Sequence, residues 1–145
     1  MRARQVIESI VPPELFFRVL QDYSAYPEFV PEVRGVRVGA REGNAVEVTY
    51  QLDIKIKQLE FTLRHAEFPS ELRVEWRLVR GELMRRDQGS WTLERTASGG
   101  TRATYEIELE LAPIAPAALQ QALAQRGLPN MLANFKARAE KLFPG

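Results

Sequence analysis

Residues 22–31 read Asp22-Tyr23-Ser24-Ala25-Tyr26-Pro27-Glu28-Phe29-Val30-Pro31, an aromatic and proline knot that follows one amphipathic stretch and precedes a long alternating region. Tyr23, Tyr26, Phe29 and Val30 have near-helical spacing, Pro27 suits a first helical turn, and Pro31 forbids continuation, so the knot predicts a one-turn helix bounded by prolines. Such an element presents aromatic area without a backbone ladder. It serves either as the wall of an apolar cavity or as a plug of the core. Asp22 reads as a carboxylate accepting a backbone or tyrosine hydrogen bond at a helix end, a structural rather than catalytic role.

Toward the N-terminus, residues 3–11 predict a strand, with Val6 and Ile10 on one face and Ile7 and Val11 on the other, ended by Pro12-Pro13. A helix follows from Pro13 to about Tyr23, with Leu15, Phe16, Val19, Leu20 and Tyr23 at helical spacing.

Toward the C-terminus the period changes to two. Val36 and Val38 mark a strand over 33–41, ended by the turn Glu42-Gly43-Asn44. Val46, Val48, Tyr50, Leu52, Ile54 and Ile56 then alternate with polar residues through Lys57, predicting a long strand with one face in water. Leu59, Phe61, Leu63 and His65 continue the inward set. Leu72, Val74, Trp76 and Leu78 alternate after the turn at Phe68-Pro69-Ser70-Glu71, Trp91 and Leu93 share a face of a strand over 83–95, and Ala103 to Leu111 alternate after Ser98-Gly99-Gly100. Pro113 and Pro116 end the sheet.

The remainder is helical, with Leu119, Leu123, Leu128, Met131, Leu132, Phe135, Ala139 and Leu142 on one stripe. Gly127-Leu128-Pro129 predicts a break between a piece over 116–126 and a longer one over 129–143. The order is strand, two short helices, six strands and a terminal helix. A curved antiparallel sheet of that length has more inner area than one helix covers, so a cavity is expected between them.

Composition narrows the chemistry. The 145 residues fit one domain, 1–145, with 45% hydrophobic residues and no run long enough to span a bilayer. The opening Met1-Arg2-Ala3-Arg4-Gln5 lacks a signal peptide's apolar segment, which makes the cytoplasm the expected location. Without cysteine there is no thiolate chemistry, and with His65 as the one histidine there is no histidine-rich metal site. A net charge of +1 argues against nucleic acid as a partner. Arg77, Arg80, Arg85 and Arg86 form the one candidate basic patch, read mainly as a solvated face. No nucleophile triad, phosphate loop or metal spacing is present.

The knot, together with Gly89-Ser90-Trp91-Thr92-Leu93 in a late strand, resembles the START-like superfamily with the helix-grip fold, over nearly the whole chain. The nearest resemblance is to the coenzyme Q-binding and polyketide cyclase/dehydrase-like branch, which also holds ribosome-association proteins. The resemblance implies an α+β fold, a curved seven-stranded antiparallel sheet wrapped around a long C-terminal helix, with two short helices between the first two strands. It also implies a cavity for ubiquinone, another prenylated or aromatic lipid, or a polyketide chain. The break at Gly127-Leu128-Pro129 departs from the uninterrupted terminal helix of the family and leaves open whether the cavity mouth is opened or closed there.

Expected ligand-binding residues are Tyr23, Tyr26 and Phe29 from the knot, Tyr50, Phe61, His65, Trp76, Met84, Trp91 and Tyr105 from the strands, and Met131 and Phe135 from the terminal helix. His65 shares the parity of Leu59, Phe61 and Leu63, which turns it inward toward a hydrogen bond from Tyr50 or Tyr105; these three are the candidate catalytic acid and base groups. Asp87 and Arg85 share the parity of Trp91 if that strand is regular, predicting an ion pair near the cavity, which a bulge at Gly89 would reverse.

The first functional expectation is a carrier or chaperone of a hydrophobic small molecule, foremost a prenylquinone, with no cofactor and no metal. The alternatives are a polyketide aromatase/cyclase or dehydratase using the same cavity, and a ribosome-associated interaction module motivated by the arginines. Transient contact with a membrane surface is compatible with the first; oligomeric state is not readable.

Overall fold

The computed structural model describes residues 1–123 and 128–144. Strand β1 (Arg2–Ser9) ends one residue before Ile10, and helix α1 (Pro13–Gln21) starts with proline at its first position, where no backbone donor is missed. Phe16, Phe17, Val19 and Leu20 are its buried face. The knot forms a 3-10 helix, Tyr23–Glu28. It begins at Tyr23 rather than at Pro27, which lies near its end, because the Ala25 amide already bonds the Asp22 carbonyl at 3.0 Å. Asp22 itself is exposed and makes no capping bond through its side chain, contrary to the role expected of it.

Six strands follow: β2 (Val33–Glu42), β3 (Ala45–Asp53), β4 (Gln58–Phe68), β5 (Arg73–Gly81), β6 (Met84–Arg95) and β7 (Thr101–Leu111). With β1 they make one seven-stranded antiparallel sheet in the order β1-β7-β6-β5-β4-β3-β2. The chain thus crosses from one edge strand to the other through α1 and the 3-10 helix, then meanders back until β7 pairs with β1.

The alternation from Val46 to Lys57 does not form one strand. The Asp53 carboxylate accepts the Lys55 amide at 2.9 Å, Lys55 takes φ 73°, and the chain reverses between β3 and β4. Alternation survives because a hairpin preserves parity, yet Ile56 at its tip is 59% exposed.

Gly89 does not bulge: β6 stays in register with β7 from Asp87 through Arg95. A Cβ there would lie 2.1 Å from the Glu106 carbonyl oxygen and 2.6 Å from Trp76 Cζ2, so glycine lets the indole cross the strand. The irregularity lies instead between Met84 and Arg86. It turns Arg85 outward to Glu110 at 3.7 Å, and the expected Arg85–Asp87 ion pair does not form. Arg86 likewise meets Glu108, so two of the four patch arginines face carboxylates.

Helix α2 (Ala117–Ala122) and helix α3 (Leu128–Leu142) close the chain. Gly127 of the expected break lies outside the described residues. Leu132, Phe135 and Ala139 are buried, whereas Leu142 at the end of the expected stripe is 46% exposed. A satellite cluster of Leu59, Ala115 and Leu119 pins α2 to the tip of the β3–β4 hairpin. No helix among the described residues is long and apolar enough to cross a membrane.

Candidate functional site

Between the inner sheet face, the 3-10 helix and α3 lies a cavity of about 460 Å³. Its size follows from the geometry: seven curved strands present more apolar surface than α1 and α3 cover, and the side chains that reach across are aromatic rings, which leave gaps when they meet edge to face.

The 3-10 helix contributes Tyr23 and Tyr26; β3, β4, β5 and β6 contribute Tyr50, Phe61, His65, Trp76, Met84 and Trp91; β7 contributes Tyr105; and α3 contributes Met131 and Phe135. The structure therefore brings eleven of the twelve expected ligand-binding residues around one cavity. Phe29 is not among the lining residues. It packs behind, edge-on to Tyr26 at 5.7 Å and to Phe135 at 5.0 Å, with the Arg138 guanidinium 5.3 Å from its ring centre. Phe29 thus ties α3 to the knot rather than facing the cavity.

Tyr50 and His65 meet as the parity implies, Tyr50 Oη and His65 Nε2 lying 2.8 Å apart. Tyr105 makes no such bond; its ring stacks on Trp76 at 5.3 Å and edge-on to Trp91 at 4.9 Å. Burial pushes both tyrosines well above their ordinary value. It also lowers His65 to about 4, against the opposing pull of Glu67, so the imidazole is neutral. His65 Nδ1 is the one fully buried side-chain polar atom among the described residues with no hydrogen-bond partner. Assigning the ring hydrogen to Nε2, which then donates to Tyr50, leaves only a lone pair orphaned at Nδ1, the cheaper of the two defects. The Tyr50 hydroxyl hydrogen is then free to be donated elsewhere.

Two acidic residues matter more than the sequence suggested. Asp87 lines the cavity, is 6% exposed, and accepts the Trp76 indole N–H through Oδ1 at 3.0 Å. Burial raises its carboxyl to about 6, the indole bond opposing. Glu67, 4% exposed, accepts hydrogen bonds from Tyr23 Oη at 2.7 Å, Arg41 Nη1 at 2.7 Å and Gln21 Nε2 at 3.1 Å. Burial pushes Glu67 up, but those three bonds outweigh it and hold the carboxyl below its ordinary value. Sequence reasoning stopped the inward set of β4 at His65; the same alternation continues to Glu67 and signals it.

The arrangement offers an aromatic chamber with one buried carboxylate, Asp87, and hydroxyl donors at Tyr50 and Tyr105. The family described as "Polyketide cyclase / dehydrase and lipid transport" matches residues 10–136. A protein of Thermus thermophilus has a similar structure with a TM-score of 0.86 at 23% identity, covering 98% of this chain and 99% of that one. The Zhui aromatase/cyclase of Streptomyces sp. R1128 gives 0.86 at 15% identity over 97% and 94% of the two chains. A STAR-related lipid transfer protein of Xanthomonas axonopodis gives 0.78 at 14% identity over 96% and 85%. The fold is START-like. No curated protein matches by sequence.

Proposed function

The chain belongs to the polyketide cyclase / dehydrase and lipid transport family, and from that premise we propose that it binds a hydrophobic small molecule in its cavity and acts as a carrier or chaperone. The carrying observation is the chamber of about 460 Å³ with aromatic walls. That volume suits a ligand of drug size. A prenylated aromatic lipid, a prenylquinone or its reduced quinol, fits with its ring among Tyr50, Trp76 and Tyr105 and its tail toward Leu52, Ile54 and Leu123, where apolar lining continues. The lipid transfer protein with the same fold agrees with this reading.

The test is organic extraction of the purified protein followed by mass spectrometry, paired with thermal melts in a short-chain ubiquinone and, separately, in its reduced quinol. A co-purified isoprenoid or aromatic lipid is expected. Ligand at about 100 times Kd adds about 2.7 kcal/mol, which raises Tm by several degrees. Repeated absence of both effects overturns the reading.

A second reading, aromatase/cyclase or dehydratase chemistry on a polyketide-like chain, is favoured by one observation: the Tyr50–His65 hydrogen bond on the wall of the same chamber. With the His65 Nε2 hydrogen donated to Tyr50, the Tyr50 hydroxyl is the group placed to give a proton to a substrate carbonyl. Turnover of a polyketide-like substrate that survives His65→Gln and Tyr50→Phe unchanged would remove the acid and base assignment.

A further inference from the structure

Asp87 is the buried carboxylate of the chamber. Glu32 and Asp53 also line it, but both are partly exposed, and the Asp53 carboxylate is engaged by the Lys55 amide. Burying a carboxylate without a cation costs several kcal/mol, and an apolar residue at this place would cost nothing of the kind. No Lys or Arg among the described residues pairs with Asp87. Its Oδ1 accepts the Trp76 indole, Oδ2 has no partner among them, and Asp87 is one of the residues that line the chamber. An ionised carboxylate only accepts. Whatever meets Oδ2 must therefore bring a hydrogen.

The surroundings narrow that donor. Tyr105 and Tyr50 lie near enough for the Asp87 charge to oppose the ionisation of both, and the chamber there is walled by the rings of Trp76, Tyr105 and Trp91. A ligand hydroxyl can donate to Asp87 while accepting from a tyrosine, and the ring that carries it can stack on these walls. A quinone carbonyl or a methyl ether gives Asp87 no hydrogen. A carboxylate head would face an uncompensated like charge, because the neighbouring imidazole is neutral.

We propose that the Asp87 end of the cavity selects a hydroxylated aromatic ring, a phenol or quinol, whose hydroxyl donates to Asp87, and discriminates against the corresponding ether, quinone or carboxylate. This rests on the reading of the cavity as a small-molecule site and names the chemistry of the head it takes.

Four naphthalene probes separate this selection from the cavity reading beneath it. Binding of naphthalene, 2-naphthol, 2-methoxynaphthalene and 2-naphthoate is measured by fluorescence titration with the full chain and with the Asp87→Leu and Asp87→Asn variants. Near-ultraviolet circular dichroism establishes that each variant is folded. For the unsubstituted protein 2-naphthol is expected to bind about ten-fold or more tighter than 2-methoxynaphthalene, the range for a hydrogen bond to a charged acceptor. In Asp87→Leu the ratio falls below about three-fold while naphthalene binding is kept or improved. In Asp87→Asn, whose amide also donates, the preference shifts toward the ether. If naphthalene and the ether bind but 2-naphthol has no advantage, or if its advantage survives Asp87→Leu, the selection is overturned and the cavity reading stands. If none of the four binds, both fall.

Discussion

At the scale of single residues, Asp87 and His65 set opposing pH dependences within one chamber. Asp87 has its folded pKa raised from 3.8 to about 6, so its contribution to stability is fully present below 3.8 and is lost as pH rises through 6. His65 has its folded pKa lowered from 6.5 to about 4; its contribution is present above 6.5 and is lost as pH falls toward 4. Each slope is about 1.4 kcal/mol per pH unit, and the two cancel between pH 4 and 6. Single variants unmask them. Relative to the unsubstituted protein, Asp87→Asn is expected to gain stability with rising pH up to about 6, by up to about 3 kcal/mol, and His65→Gln to lose stability with rising pH over the same interval. Urea melts at pH 4, 5, 6 and 7 measure both; difference curves with no pH dependence would contradict the assignment. The sequence placed His65 on the inner face by parity. It could not rank Asp87 above Arg85, because that depends on whether the strand bulges at Gly89 or at Arg85, which is settled by packing across β5 and β7.

At the scale of elements, Glu67 is the junction. It takes hydrogen bonds from α1 through Gln21, from the 3-10 helix through Tyr23, and from β2 through Arg41. The crossover between the two sheet edges is thereby tied to β4, and Tyr23 is held as cavity wall. Glu67→Gln removes the charge that Arg41 and Tyr23 both address, and a loss of about 2–3 kcal/mol is expected, less than for a wholly buried pair because Arg41 is half exposed. Tyr23→Phe is expected to cost about 1 kcal/mol. The double variant is expected to cost less than the two together by at least about 0.5 kcal/mol, since one partner is shared; strict additivity in chemical denaturation would show the junction to be nominal. Element types were legible throughout, from the helical spacing of Leu15, Phe16, Val19 and Leu20 to the alternation of Ala103 to Leu111. The β3–β4 hairpin was not, since Asp53 and Lys55 form an Asx turn inside an unbroken alternation.

At the scale of the whole molecule, α3 is held against the chamber by the ring of Phe135 as well as by the aliphatic side chains of Leu132 and Ala139. Phe135 meets Tyr26 at 5.1 Å, Phe29 at 5.0 Å and Trp91 at 5.3 Å, so one side chain joins the terminal helix, the knot and the sheet. Phe135→Ala is expected to cost about 3 kcal/mol, the lower end for a buried phenylalanine because the void it leaves merges with an existing cavity. It is also expected to reduce the melting shift given by any cavity ligand; an unchanged Tm in thermal denaturation would show that α3 is held by other contacts. The sequence alone determined the order of elements, the inner faces of β3, β4, β5 and β7 and the aromatic character of the wall, because periodicity and proline placement are local and survive whatever the chain packs against. Only the tertiary structure decided that Phe29 turns away from the cavity, that Arg85 leaves Asp87 alone within it, and that Glu67 gathers three elements. Those outcomes depend on register and on groups far apart along the chain, and burial turns such proximity into shifted proton affinities and a preference for one kind of ligand.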